Sequence, residues 1–179
     1  MTVGTIGGFV AIILANDNQQ KVQDQTSADY QKQLEEYTKQ QEIAAKENAD
    51  NSEPIDGYTA TPFTAADVTS LNAEVLVEGS GEAIKSTDTV KASYFGWLSD
   101  GMIFDSSNKK DADDTPISFP LANVIKGWTD GLTGKKVGSV IKLTIPADQA
   151  YGSTASGVIP ANSPLQFIVK IDSIEAAQS

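Results

Sequence analysis

The sequence predicts an α+β fold: a curved antiparallel β-sheet wrapped around one short helix and preceded by an N-terminal helical arm. Three observations carry that expectation. Six β-like runs, at residues 71–77, 89–98, 102–104, 116–119, 137–145 and 165–174, are separated by turn-forming stretches such as Gly79-Ser80-Gly81 and Ser99-Asp100-Gly101. Between the fourth and fifth runs, Val124, Ile125, Trp128 and Leu132 fall at i, i+1, i+4 and i+8, which puts one apolar stripe on a short helix. Upstream of Phe63 the texture is different, rich in Gln, Glu, Lys and Ala. Many strands with one central helix give a sheet packed on that helix.

Taken in order, residues 2–15 form an almost wholly apolar run with no charge before Asp17. As a helix the run would span about 21 Å, against a hydrocarbon core of about 30 Å, and it lacks a basic start. Three readings stay open: part of a membrane anchor, an atypical export segment, or a buried helix. The hydrophilic stretch that follows favours the first two. Residues 16–51 carry Glu35 with Lys39 and Glu42 with Lys46, pairs spaced to support a helix, and Ser27 with Asp29 marks a candidate start. Tyr30, Leu34, Tyr37, Gln41 and Ala44 repeat at 4-3-4-3 spacing, a heptad rhythm too short for a sustained coiled coil. A solvated helical spacer is expected there, with weak self-pairing of the arm as the sharper alternative. Residues 48–62, with Pro54, Gly57 and Pro62, read as a linker. The expected domains are therefore an anchor or export segment (1–15), an arm and linker (16–62), and a globular domain (63–179).

In the globular part, Thr64 with Asp67 resembles a capping box opening one helical turn. The central helix covers about two turns, which is marginal in water by itself, so it must lie on the sheet with Trp128 as its largest buried contact. The last strand shows the clearest alternation, Leu165-Gln166-Phe167-Ile168-Val169-Lys170-Ile171. An indole under a concave sheet makes an apolar floor, the usual form of a small-ligand pocket.

Composition removes whole classes of chemistry. The 179 residues carry a net charge of −11, and all 13 basic residues are Lys. Residues 1–62 hold ten acidic side chains against four Lys, and residues 63–179 hold fourteen against nine, so neither part is basic. Nucleic-acid binding, which needs dense positive charge, is not expected. There is no Cys and no His, so there are no disulfides, no Cys or His zinc site, and no Ser-His-Asp or Cys-His nucleophile. Asp111, Asp113 and Asp114 lack the spacing of a calcium loop, with Ala122 where its bidentate Glu would stand. No metal and no cofactor are expected. Ser106 and Ser107 read as turn residues, since no base is present to activate them.

Several motifs converge in order: Tyr94, then Gly101-Met102-Ile103-Phe104-Asp105-Ser106-Ser107, then Val124-Ile125-Lys126-Gly127-Trp128, then Ala150-Tyr151-Gly152, then Ile159-Pro160, then Leu165-Gln166-Phe167. This set resembles the FKBP-type peptidyl-prolyl cis/trans isomerases over about residues 71–174. The resemblance implies an FKBP-like fold and a proline-sized pocket floored by Trp128. Its walls would be Tyr94, Phe104, Ile117, Val124, Ile125, Tyr151, Ile159 and Phe167, with Asp105 as the polar residue at the edge. It implies Tyr94, Asp105 and Tyr151 as the polar working residues. The Ile125 N–H and the Tyr151 hydroxyl would bond ligand carbonyls. Four positions depart from the family pattern: Ile117 where an aromatic wall is usual, Ser93 where a His is usual, Pro160-Ala161 where Pro-Pro is frequent, and a small polar loop at 153–158.

The activity so implied is isomerisation of X-Pro bonds, which needs no proton transfer. The expected partners are proline-containing polypeptides, with FK506- and rapamycin-like macrolides as further ligands, and the expected location is extracytoplasmic, anchored or secreted. Two other classes fit the same residues: a proline-segment binding module with little turnover, and a chaperone acting through the arm.

Overall fold

The computed structural model describes residues 19–110 and 112–175. The apolar run at 2–15 lies outside them. The chain divides into two compact units, Met1–Gln40 and Gln41–Ser179. Helix α1, Gln19–Asp50, runs through the boundary. In the first unit, Tyr30, Leu34 and Tyr37 of the heptad rhythm are exposed. Ser27 does not open the helix but lies inside it, because the helical hydrogen-bond ladder already runs from Gln19. No described helix is long and apolar enough to cross a membrane.

In the second unit six strands form one antiparallel sheet: β1 (Asn72–Val77), β2 (Thr89–Trp97), β3 (Ile103–Ser106), β4 (Ile117–Pro120), β5 (Val140–Ile145) and β6 (Leu165–Glu175). Their order is β1-β5-β6-β2-β3, and β4 also pairs with β2. Strand β2 is the hub: it pairs with β6 from Thr89↔Glu175 to Trp97↔Gln166, with β4 over its first half, and with β3 over its second. Strand β5 starts at Val140 rather than Val137, because residues before it turn through Gly138 at φ 88.

Helix α2, Lys126–Leu132, buries Trp128 and Leu132 against the sheet. The apolar stripe of four residues is split. Val124 and Ile125 precede the helix, and Ile125 serves as its N-cap, its carbonyl accepting from the N–H groups of Trp128 and Thr129. Helical spacing counted them in because a cap sits where the next turn would have been. The main core joins Trp128 and Leu132 to Val90 and Ala92 of β2, Leu143 and Ile145 of β5, and Phe167, Val169 and Ile171 of β6.

A second, smaller core lies on the other face. Phe95 and Trp97 of β2, Val140 and Ile168 pack with Ile55, and Tyr58, Ala60 and Phe63 border them. The stretch read as a linker is thus part of the fold: Ile55 is only 3% exposed, and the Trp97 indole N–H donates to the Thr61 carbonyl at 2.9 Å. Thr64 precedes a single 3₁₀ turn, Ala65–Asp67, but its hydroxyl makes no capping hydrogen bond, so the capping box does not form.

Candidate active site

The sheet and α2 enclose a cavity of about 310 Å³. Tyr94 reaches it from β2, Phe104 and Asp105 from β3, Ile117 from the start of β4, and Phe167 from β6. Val124 and Ile125 reach it from the approach to α2, Trp128 from α2 itself, and Tyr151 from the loop after β5. Ile159 does not line this cavity; it is 5% exposed and borders a smaller one beside it. Two lining residues had not been singled out, Phe119 and Asn123. Phe119 could have been found from alternation on β4, since it falls two residues after Ile117 and so on the same face. Its ring meets the indole with centroids 5.1 Å apart, so an aromatic wall persists even though Ile117 is aliphatic.

The floor is built from rings. Tyr94 and Phe167 each meet Trp128 edge-on at 5.2 Å, and Phe104 meets Phe167 edge-on at 5.5 Å. Such edge-on pairs add about 0.5–1.5 kcal/mol each beyond burial and fix ring positions. Trp128 is 6% exposed, and its indole N–H is buried with no acceptor among the described residues. Leaving such a buried donor unpaired costs about 1–3 kcal/mol. Nor does the Ile125 N–H have a backbone partner among the described residues.

The polar edge is organised around Asp105. The Tyr94 hydroxyl donates to its Oδ2. Its Oδ1 accepts from the Ser106 N–H at 2.9 Å, from Asn48 Nδ2 at 2.9 Å, and from Lys109 Nζ at 3.4 Å. Asn48, in the last turn of α1, also accepts from Lys109 at 2.6 Å. These contacts hold the carboxylate in one orientation. Sequence reading missed Asn48, which lies far from Asp105 along the chain and carried no local signal, and Lys109, although it stands four residues after Asp105. Ser106 and Ser107 are structural pins: Ser106 Oγ donates to the Glu53 carbonyl and Ser107 Oγ to Asp114. Burial, and then the Asp105 charge, push the Tyr94 and Tyr151 hydroxyls above their usual pKa, so both stay protonated donors. The assembly is an apolar slot with fixed donors and one fixed carboxylate at its rim. It can orient an amide and exclude water, and it offers no nucleophile with an activating base.

Residues 80–172 match the family model described as FKBP-type peptidyl-prolyl cis-trans isomerase. An FKBP-type peptidyl-prolyl cis-trans isomerase FkpA from Escherichia coli is 38% identical over 139 residues, covering 78% of this chain and 50% of that protein. FK506-binding protein 4 from Neurospora crassa is 44% identical over 129 residues, covering 71% of this chain and 25% of that protein. The crystal structure of FkpA from Escherichia coli superposes with a TM-score of 0.55 at 32% identity, covering 92% of this chain and 75% of that one. The chain spans about half the length of the FkpA relative it matches.

Proposed function

The chain belongs to the FKBP-type peptidyl-prolyl cis-trans isomerases, and from that we infer that it accelerates rotation about X-Pro bonds in the cavity above Trp128. The observation that carries the reading is the ring-floored cavity of about 310 Å³ with an oriented carboxylate at its edge. Rotation about a peptide bond faces a barrier of about 18–20 kcal/mol because amide resonance must be broken. The planar amide is more charge-separated than the twisted one. Moving it from water into an apolar slot therefore raises the ground state more than the transition state. A cavity shaped for the twisted form adds differential binding. Each tenfold acceleration needs about 1.4 kcal/mol, a scale that a few ring contacts reach.

In this reading Trp128, Phe104, Phe119, Phe167, Val124 and Ile117 hold the prolyl ring. The Ile125 N–H and the Tyr151 hydroxyl bond the flanking carbonyls. Tyr94 and Asp105 set the polar edge, and Asp105 orients the ligand without exchanging a proton. The substrates are proline-containing polypeptides. The Neurospora relative is named for FK506, and we extend that chemistry here: FK506- and rapamycin-like macrolides compete for the same cavity. The apolar run at 2–15 supports an extracytoplasmic site of action, checked by cell fractionation. The exposed Tyr30, Leu34 and Tyr37 support weak self-pairing of the arm, checked by sedimentation.

A protease-coupled cis/trans assay on proline peptides tests the activity. Wild type should exceed the uncatalysed rate, and Trp128→Ala and Tyr151→Phe should lose most of the excess. Peptide binding with no acceleration would leave a binding module instead.

A further inference from the structure

We propose that Asn48, in the last turn of α1, is a positioning residue for the reaction: its amide sets the orientation of the Asp105 carboxylate at the rim of the slot. This role deepens the isomerase reading and rests on it. Asn48 precedes residues 80–172, the span matching the family, so the end of α1 adds a working part to the site from outside the family domain.

The backbone delivers Asn48 to this place. The end of α1 is held against the loop after β3 by two hydrogen bonds, from the Glu53 N–H to the Asn108 carbonyl at 3.0 Å and from the Lys110 N–H to the Asn51 carbonyl at 2.9 Å. Lys109 Nζ donates to Ser52 Oγ at 2.9 Å, and Ser52 Oγ donates to the Asn48 carbonyl at 2.7 Å. The half-buried Asn48 side chain then meets β3, with Nδ2 2.9 Å from Asp105 Oδ1 and 3.4 Å from the Phe104 carbonyl.

The neighbours call for an amide. The group between them must donate to a carboxylate on one side and accept from the Lys109 ammonium, 2.6 Å away, on the other. Asn does both, and only one setting of its amide satisfies both. The terminal torsion of an Asp is broad, so the carboxylate is not fixed by its own rotamer preference. Its other Oδ1 donors hold it less firmly: the Ser106 N–H belongs to the next residue of the same strand, and Lys109 Nζ stands 3.4 Å away. Asn48 is the close anchor from another element. The Asp105 Oδ2 accepts from the Tyr94 hydroxyl, and the Tyr94 ring meets Trp128 edge-on at 5.2 Å, so a turn of the carboxylate reaches the floor of the slot.

The test is a mutant cycle on the full chain, read by kcat and KM for a proline peptide and by the Tyr94 ring resonances in NMR. Asn48→Ala places the best helix former in the same turn. It should lower kcat/KM about fivefold, mainly through kcat, since a small misplacement costs less than the hundredfold of a full 1 Å. Asn48→Asp, nearly the same size, sets a second carboxylate against Asp105 and should lose more. In an Asp105→Ala background, Asn48→Ala should cost less than about twofold, because a residue acting only through the carboxylate has nothing left to hold. Lys110→Ala removes a bond from Lys110 Nζ to the Asp50 carbonyl at the same helix end, and should keep wild-type kcat/KM. Should Asn48→Ala fail to fold, Asn48→Asp carries the cycle. Equal losses with and without the Asp105 carboxylate, an Asn48→Asp chain as active as wild type, or an equal loss in Lys110→Ala each overturn the positioning role. If wild type gives no acceleration, the isomerase reading falls. Tyr94 resonances that still shift in Asn48→Ala then leave the hold on Asp105 standing, and unshifted resonances overturn both.

Discussion

Gly96 gives the sharpest test of whether pocket shape carries the function. It pairs with Asp105 on β3 and with Phe167 on β6, directly beneath the cavity. A Cβ placed there would lie 2.4 Å from Phe167 Cε1 and 2.6 Å from Phe104 Cζ. Carbon atoms pack at about 3.5–4.0 Å, so both rings must move by roughly 1 Å, and the free space beside them is the cavity. Overpacking of this kind costs about 1–3 kcal/mol, and displacement of positioning groups by about 1 Å costs up to about a hundredfold in rate. Gly96→Ala should therefore lose roughly ten- to a hundredfold in kcat/KM toward proline peptides, although no polar group is touched. The control is Gly131→Ala, whose Cβ would meet Leu143 Cδ2 at 2.6 Å in the core. It should destabilise comparably in urea with a much smaller loss of activity. A folded Gly96→Ala chain with wild-type kcat/KM would show that the ring positions around the cavity do not set the rate.

Asp105→Ala leaves the Tyr94 hydroxyl and the Asn48 amide without their acceptor, so stability in urea should fall by about 1–3 kcal/mol. Its kcat/KM should fall about tenfold, and Asp105→Asn, which keeps an acceptor oxygen, should recover part of both. The tyrosine shifts set a sign for pH dependence. A raised pKa keeps the hydroxyl protonated as pH rises, so kcat/KM should stay level up to the ordinary tyrosine value of 10.0 and fall only above it. A pH-rate profile turning down well below that value would contradict the assignment of neutral donors. Ile55→Ala should cost about 2–5 kcal/mol in denaturant unfolding, because this side chain belongs to the second core. Its activity under native conditions should change little, and a negligible stability loss would show that the segment is not a structural cover.

Legibility in the sequence followed the range of the physics involved. Strand alternation and turn residues are local, so β1 to β6 were recognisable, and the spacing around Trp128 marked the helix that floors the site. Nine of the ten residues singled out line one cavity. Local reading failed where the deciding contact was distant. Pro54 and Gly57 made residues 48–62 look like a spacer, yet Ile55 is held by Phe95, Trp97 and Ile168 from across the sheet. Asn48 looked like any polar residue at a helix end until the fold brought it to Asp105. Gly96 was hidden for another reason: its role is the absence of a side chain. The available signal was a glycine inside a strand, which marks close approach by a neighbour.

In the proposed mechanism the apolar slot over Trp128 lowers the barrier to amide rotation. NMR exchange measurements on a proline peptide at equilibrium, with the chain present at a small fraction of the peptide, test it most directly. Cis–trans exchange should run faster than the uncatalysed tens to hundreds of seconds and rise in proportion to the amount of chain. Shifted peptide resonances with exchange still at the uncatalysed rate would contradict it.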